Sequence, residues 1–299
     1  MDVETPTLQR SEDLWFDDGT VVLKAQTTLF RVYRGILAAQ SPIFRDTFAI
    51  PQPVAQEMYD GLPIILLPDS PADLKIFLAA THDPGYFKTS PVGGMDVLCS
   101  LLRLSTKYCV DHLRNDMLST LGALYPSSLE AWLGRCPPVG YITANGDAFK
   151  ALNLALELQI LPILPGVLFE CSAHTPRAIF NADIQDGNKE TCLSVREDFA
   201  TEYCPRIYRS LLMARSGEPL ICGNALGCDS TRLECFGSNI ISVTIDEIFT
   251  KELDWDNLPL CENCTAAAQA EFRLGRLALW NNLPRIFDLP PWDQLLQAH

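Results

Sequence analysis

The chain has 299 residues, of which 37 are acidic and 23 are basic, so its formal net charge is −14. This length is too great for one ordinary hydrophobic core and predicts two domains, with a small third as an option. The negative charge opposes non-specific binding to polyanions, and no run of Lys and Arg interrupts it. We therefore expect no nucleic-acid partner.

The amino-terminal residues and the cysteines indicate the compartment. Residues 1–6 are acidic and lack the basic-then-apolar layout of a secretory signal, which favours a cytoplasmic or nuclear protein. No apolar stretch reaches the roughly 20 residues that a membrane-spanning helix needs, so no membrane association is expected. In a reducing compartment, the 11 cysteines are expected to be scattered core thiols together with a metal-binding set, and not a disulfide framework.

The first elements are predicted from turn residues and short apolar runs. Residues 1–12 are polar and are predicted to form a flexible tail. Two strands are predicted over residues 14–16 and 21–23. Asp17-Asp18-Gly19 between them predicts a tight hairpin, in which Gly19 supplies the positive φ.

The segment over residues 28–48 carries the most informative pattern of the first domain. A strand over residues 28–33 leads into apolar residues at helical spacing, and Ser41-Pro42 interrupts that spacing. Pro42 lacks an N–H and suits the first turn of a helix, and Ser41 before it is a good N-cap. The sequence therefore predicts one strand that feeds a helical hairpin.

The remainder of the first domain consists of apolar runs separated by turn residues. A buried strand is predicted over residues 64–67, and a helix capped by Asp69 or Ser70 follows it. Two amphipathic helices are predicted over residues 95–108 and 110–124. This order of elements predicts an α+β fold with helices gathered on a small sheet.

At this point the chain resembles a known family. The residues that carry the resemblance are Trp15-Phe16-Asp17-Asp18-Gly19, Phe30-x-Val32-Tyr33-Arg34-x-Ile36-Leu37-Ala38-Ala39-x-Ser41-Pro42-x-Phe44-x-x-x-Phe48 and Asp60-Gly61-x-Pro63-x-Ile65-x-Leu67. Over about residues 13–125 they are similar to a BTB/POZ domain of the fungal, mushroom-type variety. The resemblance implies the BTB/POZ fold and an activity of binding proteins, through homodimers or assembly with other chains.

The middle of the chain is predicted to be mainly helical. Helices are predicted over residues 147–160, 162–171 and 192–214, with Pro205 kinking or dividing the last of them, and residues 181–190 are predicted to be a loop. This region resembles the helical extension that follows the BTB domain in fungal relatives. The predicted organisation is a tail over 1–12, a BTB/POZ domain over 13–125, a helical extension over 126–215 and a Cys-rich, zinc-stabilised region over 216–299.

Five cysteines lie close together in the last part of the chain: Cys222, Cys228, Cys235, Cys261 and Cys264. The Cys261-x2-Cys264 spacing lets two thiolates reach one ion from a tight turn, and a structural zinc site needs four such ligands in a tetrahedron. A strong helix-forming run follows Cys264, which places the pair at a helix N-terminus, where thiolates are favoured. We therefore predict structural zinc bound by Cys222, Cys228, Cys261 and Cys264, with Cys235 in reserve.

Two other interpretations of these cysteines stay open. Free cysteines are commonly small buried hydrophobes. Cys261 and Cys264 would form a redox dithiol only in a thioredoxin-like strand–helix–strand context, which the sequence does not indicate. Similar cysteine spacings recur near the carboxyl end of the fungal BTB proteins that the chain resembles.

Catalytic motifs are absent from the sequence. There is no Gly-x-Ser-x-Gly elbow, no Gly-x-Gly-x-x-Gly turn, no phosphate-binding loop and no His-Glu-x-x-His. His82, His112 and His174 fall at predicted helix boundaries and are interpreted as polar surface residues. We therefore expect no enzyme. The expected function is protein–protein interaction through the BTB/POZ domain. The alternatives are a substrate adaptor that docks on a cullin-type ubiquitin ligase scaffold and a transcription regulator, which would need a DNA-binding module.

Overall fold

The computed structural model describes residues 7–50, 57–83, 86, 93–138, 141–204, 207, 222, 226–231, 234, 245–249, 255 and 258–297. These residues form an α+β structure that divides into two units. The first unit comprises Met1–Leu121 and Pro137–Ala144, and the second comprises Gly122–Cys136 and Asn145–His299. The domain limits predicted from the sequence, after residues 125 and 215, stay predictions.

Strands and helices alternate in the first part of the chain. In chain order they are β1 Gln9–Trp15, β2 Val21–Ala25, β3 Thr28–Val32, α1 Arg34–Gln40, α2 Pro42–Ala49, β4 Met58–Tyr59, β5 Leu62–Leu67, α3 Pro71–His82, α4 Met95–Lys107 and α5 Asp111–Leu124. The predicted third strand, the helical hairpin and the helices that follow it are confirmed. Each of them occurs where its apolar spacing predicted it, and α2 and α3 begin at the predicted caps Ser41 and Ser70, the latter being one of two candidates.

The described strands form one mixed sheet in the order β1-β3-β2-β5-β4. β2 runs antiparallel to β3 and parallel to β5, while β1 runs parallel to β3. A parallel pair needs a long crossover connection, because its two strands start at the same edge of the sheet. The hairpin of α1 and α2 lies in the crossover that joins β3 to the β4–β5 edge.

The start of the chain differs from the prediction in two ways. β1 begins at Gln9, so residues 9–12 belong to the sheet and not to a flexible tail. The predicted hairpin at Gly19 is wrong, because β1 pairs with the free edge of β3 and not with β2. Gly19 does not have a positive φ. A Cβ there would lie 2.9 Å from Cγ of Arg31, so close packing, and not backbone freedom, favours glycine at this position.

The junction between α1 and α2 is fixed by one buried side chain. The Ser41 hydroxyl, in a residue that is 1 % exposed, accepts the Phe44 N–H at 3.0 Å, which confirms the predicted N-cap. The same hydroxyl donates to the carbonyl oxygen of Tyr108 at 2.5 Å. The rings of Phe44 and Tyr108 stack with their centroids 4.5 Å apart. The hairpin is thereby held to the carboxyl end of α4 by both polar and apolar contacts.

Apolar side chains are buried on the sheet face that carries Val22. Val22, Leu29 and Ile64 form a small cluster, against which partly buried side chains, Trp15 among them, pack. The strand predicted over residues 64–67 is confirmed, but its burial is only partial, because Leu66 is 69 % exposed. Leu66 pairs with Lys24 of β2 on this face, so the cluster ends before it.

The second unit is helical in its described residues. Its elements are α6 Leu129–Leu133, α7 Asp147–Glu157, a 3₁₀ turn Leu161–Ile163, α8 Leu164–Ala173, α9 Pro176–Asn181, α10 Asp186–Asp198, a π-helical turn Phe199–Tyr203, a 3₁₀ turn Ile245–Phe249, α11 Glu262–Ile286 and α12 Trp292–Gln297. Among the described helices of the whole chain, none combines the length and the apolar character needed to cross a membrane.

One predicted loop is wrong in part. Residues 181–190 were expected to be a loop, but α10 already begins at Asp186. Its first turn is polar, and the helix is instead anchored further along by Cys192 and Val195, which are 0 % and 4 % exposed. Packing of this apolar face outweighs the weak local propensity of the first turn. Pro205 and its predicted kink lie outside the described residues.

The core of the second unit is built from aromatic rings. Trp280 of α11 lies with its ring centroid 5.0 Å from that of Trp132 and 5.2 Å from that of Phe249. Its indole N–H donates to the carbonyl oxygen of Ser127 at 3.0 Å, so the polar atom of this buried ring is paired. A Cβ at Gly166 would lie 2.9 Å from Cζ3 of Trp132, so glycine lets α8 approach this ring closely.

Candidate metal centre

The longest described helix, α11, begins beside two of the predicted ligands. Cys261 is its N-cap, with extended backbone (φ −70°, ψ 158°), and Cys264 lies in the first turn. The Cys261 carbonyl oxygen accepts the N–H of Thr265 at 2.9 Å, so the helix is regular from its start. The helix predicted after the Cys-x-x-Cys pair is confirmed, and it brings both cysteines to the positive end of the helix dipole.

The other two cysteines come from an earlier segment. Cys228 lies in a short helical stretch over residues 226–231, and Cys222 precedes that stretch. The hydroxyl of Thr231, a buried side chain, lies 3.1 Å from the carbonyl oxygen of Pro259. This contact holds the short helical stretch against the backbone just ahead of α11.

The four sulfur atoms converge in space. Those of Cys222, Cys228, Cys261 and Cys264 all lie within 4.8 Å of one another. Cys222 Sγ is 3.6 Å from Cys264 Sγ and 3.9 Å from Cys261 Sγ. A tetrahedron with metal–sulfur bonds of about 2.3 Å has edges of roughly 3.8 Å. The thiols therefore have the spacing that one metal ion requires.

No family model, curated protein or solved structure matches this chain. Its function has to be inferred from its own residues.

These sulfur distances distinguish a metal site from a disulfide. The four cysteines are free thiols, and the two closest separations given above are far longer than the about 2.05 Å of a disulfide bond. Cys261 and Cys264 also lack the surroundings of a thioredoxin-like dithiol, because the described residues of the second unit contain no strand. Four thiols that converge without forming disulfides can hold a metal ion.

The surroundings of Cys228 contain groups that lower its pKa and groups that raise it. The N–H of Cys261 donates to Cys228 Sγ at 3.3 Å, and this hydrogen bond is the largest single influence on the pKa of Cys228, which it lowers. Burial and hydrogen bonds to Cys222 and Cys261 nevertheless leave that pKa above its usual value. Because a thiolate is the species that binds metal, a metal ion would have to displace a proton from Cys228.

Apolar contacts anchor α11 behind its cysteines. Phe272 is 2 % exposed, and its ring meets that of Trp255 edge to face, with centroids 5.7 Å apart. One turn further along, a Cβ at Gly275 would lie 3.4 Å from Cγ1 of Ile207. The helix that carries two of the thiols is thus also part of the core of its unit.

The remaining cysteines are not part of this group. Cys235, the reserve ligand, lies outside the described residues. Cys171 of α8 and Cys192 of α10 are both 0 % exposed. The pKa of Cys171 is well above its usual value. Burial is the largest cause, and a hydrogen bond between the two sulfurs is the next largest. No sequence pattern predicted this contact, because residues on two separate helices make it.

Among the described residues, the group of possible metal ligands contains no histidine. His82 is half-buried, and not a surface residue, because its Nε2 accepts the N–H of Tyr33 at 3.4 Å. Its Nδ1 lies 2.9 Å from the carbonyl oxygen of Leu78, and burial lowers its pKa. His174 stacks against Phe149, with ring centroids 4.9 Å apart. These contacts assign His82 and His174 to packing. His112 is exposed, as expected.

Proposed function

We propose that this chain is a protein-interaction protein, with a BTB/POZ domain as its first unit and a zinc-stabilised second unit. Support for the first part comes from where the residues of the resemblance lie. Phe30, Leu37 and Phe44 of that pattern are each 1 % exposed. Residues spaced along the sequence thus contribute to the core beneath the helical hairpin.

The Ser41–Pro42 junction is the observation that carries the proposal. The resemblance is most specific there, where a strand leads directly into two short helices separated by a Ser-Pro pair. In the folded chain the hydroxyl of this buried serine donates one hydrogen bond and accepts another, so the Ser-Pro pair has a structural role at the junction. BTB/POZ domains act by binding proteins, so the resemblance implies self-association or assembly with other chains.

The outer side of the hairpin offers a surface for such contacts. Ile43 of α2 is 41 % exposed and Ile50, the C-cap of α2, is 62 % exposed. Apolar side chains exposed beside a rigid, well-packed junction are candidates for burial against a partner.

Light scattering of the full-length chain tests self-association. We expect a dimer or larger species, and we expect Ile43→Arg to reduce it by placing a charge in the contact. Ile142→Arg is the matched control, because Ile142 is also exposed, at 60 %, but lies outside the hairpin. A parent protein that stays monomeric at all concentrations would contradict self-association, and recovery of a cullin with the protein would favour the adaptor function instead.

The second part of the proposal is that Cys222, Cys228, Cys261 and Cys264 bind zinc. Four thiolates in a tetrahedron are typical of a structural zinc site, and they leave no open position for a substrate. Soft sulfur ligands favour zinc or iron–sulfur clusters over magnesium or calcium. The Cys261 amide would stabilise the negative charge on the Cys228 sulfur in the bound state.

Metal analysis of the chain purified without chelator tests this assignment. We expect one zinc per chain, and we expect Cys228→Ser to lose it, because a neutral hydroxyl replaces a thiolate ligand. Cys192→Ala is the control, since Cys192 is as buried as Cys228 but lies outside the group. A parent protein that neither contains nor takes up zinc would overturn the proposal.

A further inference from the structure

The four cysteines of the candidate metal centre differ in exposure. Cys228 and Cys264 are buried, at 0 % and 2 % exposed, whereas Cys222 and Cys261 are half-buried. Two of the four cysteine residues are therefore partly open to solvent, while the other two are shielded from it. A wholly buried structural site would show no such difference.

Cys222 Sγ has two close neighbours across the site. Its distances of 3.6 Å to Cys264 Sγ and 3.9 Å to Cys261 Sγ leave about 1.6–1.9 Å to close before a disulfide forms. A movement of this size is within reach of side-chain rotation and small backbone shifts. Cys222 is thus a partly exposed residue whose sulfur lies beside a second thiol that can react with it.

We propose that Cys222 is an oxidant-sensitive ligand of this centre, and that a peroxide converts it, with Cys261 or Cys264, into a disulfide that empties the site. The inference rests on the proposed zinc centre and adds a mode of regulation to it. The covalent link would replace the metal as the connection between the Cys222 segment and α11.

The chemistry takes two steps and balances with one peroxide. The Cys222 thiolate attacks a peroxide oxygen, so an S–O bond forms, the O–O bond breaks and hydroxide leaves, which gives a sulfenic acid. The thiolate of Cys261 or Cys264 then attacks the Cys222 sulfur, so the S–S bond forms, the S–O bond breaks and a second hydroxide leaves. Two sulfurs lose two electrons in total, and one hydrogen peroxide becomes two waters after protonation.

The position of the partner thiols favours the second step. Cys261 and Cys264 lie at the N-terminus of α11, where the helix dipole stabilises the attacking thiolate. The disulfide would use two of the four ligands, and the remaining two thiols cannot complete a tetrahedral site. The resulting link spans 39 or 42 positions of the chain, so the oxidised unit would keep this long-range connection.

The test is oxidation of the full-length, zinc-loaded protein with hydrogen peroxide. Zinc release is followed with a chromogenic chelator, and disulfides are located by peptide mass mapping. We expect release to parallel formation of a disulfide between Cys222 and Cys261 or Cys264, and we expect a thiol reductant with added zinc to restore the site. Release without a disulfide at Cys222, or intact zinc after the exposed Cys136 has been oxidised, would overturn the inference.

Two variants separate this chemistry from general damage. Cys222→His supplies another zinc ligand that cannot form a disulfide, so release should slow by about tenfold or more. Cys136→Ser removes an exposed thiol outside the site and should leave the release rate unchanged. Equal release from the Cys222→His variant and the parent would contradict the inference. Absence of zinc in the parent would instead overturn the zinc proposal and this inference with it, so the two failures are distinguishable.

Discussion

Each of the two units of this chain is stabilised internally by a different kind of contact. In the first unit, Ser41 fixes the junction between two neighbouring helices. Its hydroxyl accepts a hydrogen bond from the N–H three residues further along the chain and donates one to the carbonyl oxygen of Tyr108. In the second unit, a group of four thiols joins Cys222 to cysteines 39 and 42 positions away. Thiols at this spacing gain little from one another without an ion. The junction in the first unit is thus fixed by its own side chains, whereas the four cysteines of the second unit could hold a metal ion.

Removal of the metal should give the largest effect, and only in one unit. Apparent binding energies of structural zinc sites are on the order of 10 kcal/mol, which is comparable to the whole stability of a domain. With a zinc chelator, we expect amide hydrogen exchange to accelerate in peptides from α11 and to stay unchanged in peptides from β2 and β3. Chelator saturated with zinc is the control, and equal acceleration in both units would remove the contrast.

The core of the second unit should give the next largest effect. Trp280 is 1 % exposed and lies among aromatic rings, so Trp280→Ala should lower the free energy of unfolding of the zinc-loaded protein by about 3–5 kcal/mol. Leu277→Ala, on the exposed side of the same helix at 45 % exposure, should change it by no more than about 0.5 kcal/mol. Denaturant unfolding measures both. If Trp280→Ala costs no more than the control, the metal alone would hold this unit.

Substitution of two N-cap serines should give the smallest change in the free energy of unfolding, and it tests the first unit directly. Ser41→Ala removes a cap and leaves the Tyr108 carbonyl oxygen without its donor, so it should cost about 1–3 kcal/mol. Ser70→Ala removes the cap of α3, whose bonds stay within one turn, and should cost about 1 kcal/mol. Denaturant unfolding compares them. A larger loss from Ser70→Ala would show that the hairpin junction does not fix the first unit.

The same contrast explains what could be predicted from the sequence. The cap at Ser41, and a second cap at Asp69 or Ser70, were predicted because both partners of such a cap lie within one helical turn; the structure selects Ser70. The hairpin at Gly19 was also predicted from local turn residues, and it was wrong. Such residues do not indicate which strand edge β1 will pair with. Likewise, the polar start of α10 was predicted to be a loop, because the packing that stabilises this helix lies further along it.

The candidate metal centre was predictable only as a set of ligand types. Cys261-x2-Cys264 before a helix-forming run indicated a pair at a helix N-terminus, and this is its position. Its partners Cys222 and Cys228 were also predicted, and their sulfurs do converge with this pair, but the contact between Thr231 and Pro259 that helps to bring Cys228 there has no signature in the sequence. Differences in exposure among the four ligands likewise depend on the folded chain, and they carry the proposed sensitivity to peroxide.

X-ray absorption at the zinc edge, on the full-length chain purified without chelator, tests the central claim most directly. A zinc ion held by the four cysteines should give a first shell of four sulfurs at about 2.3 Å and no nitrogen or oxygen ligand. A shell with fewer sulfurs, or protein without zinc whose cysteines are free or joined in disulfides, would contradict the account of the second unit.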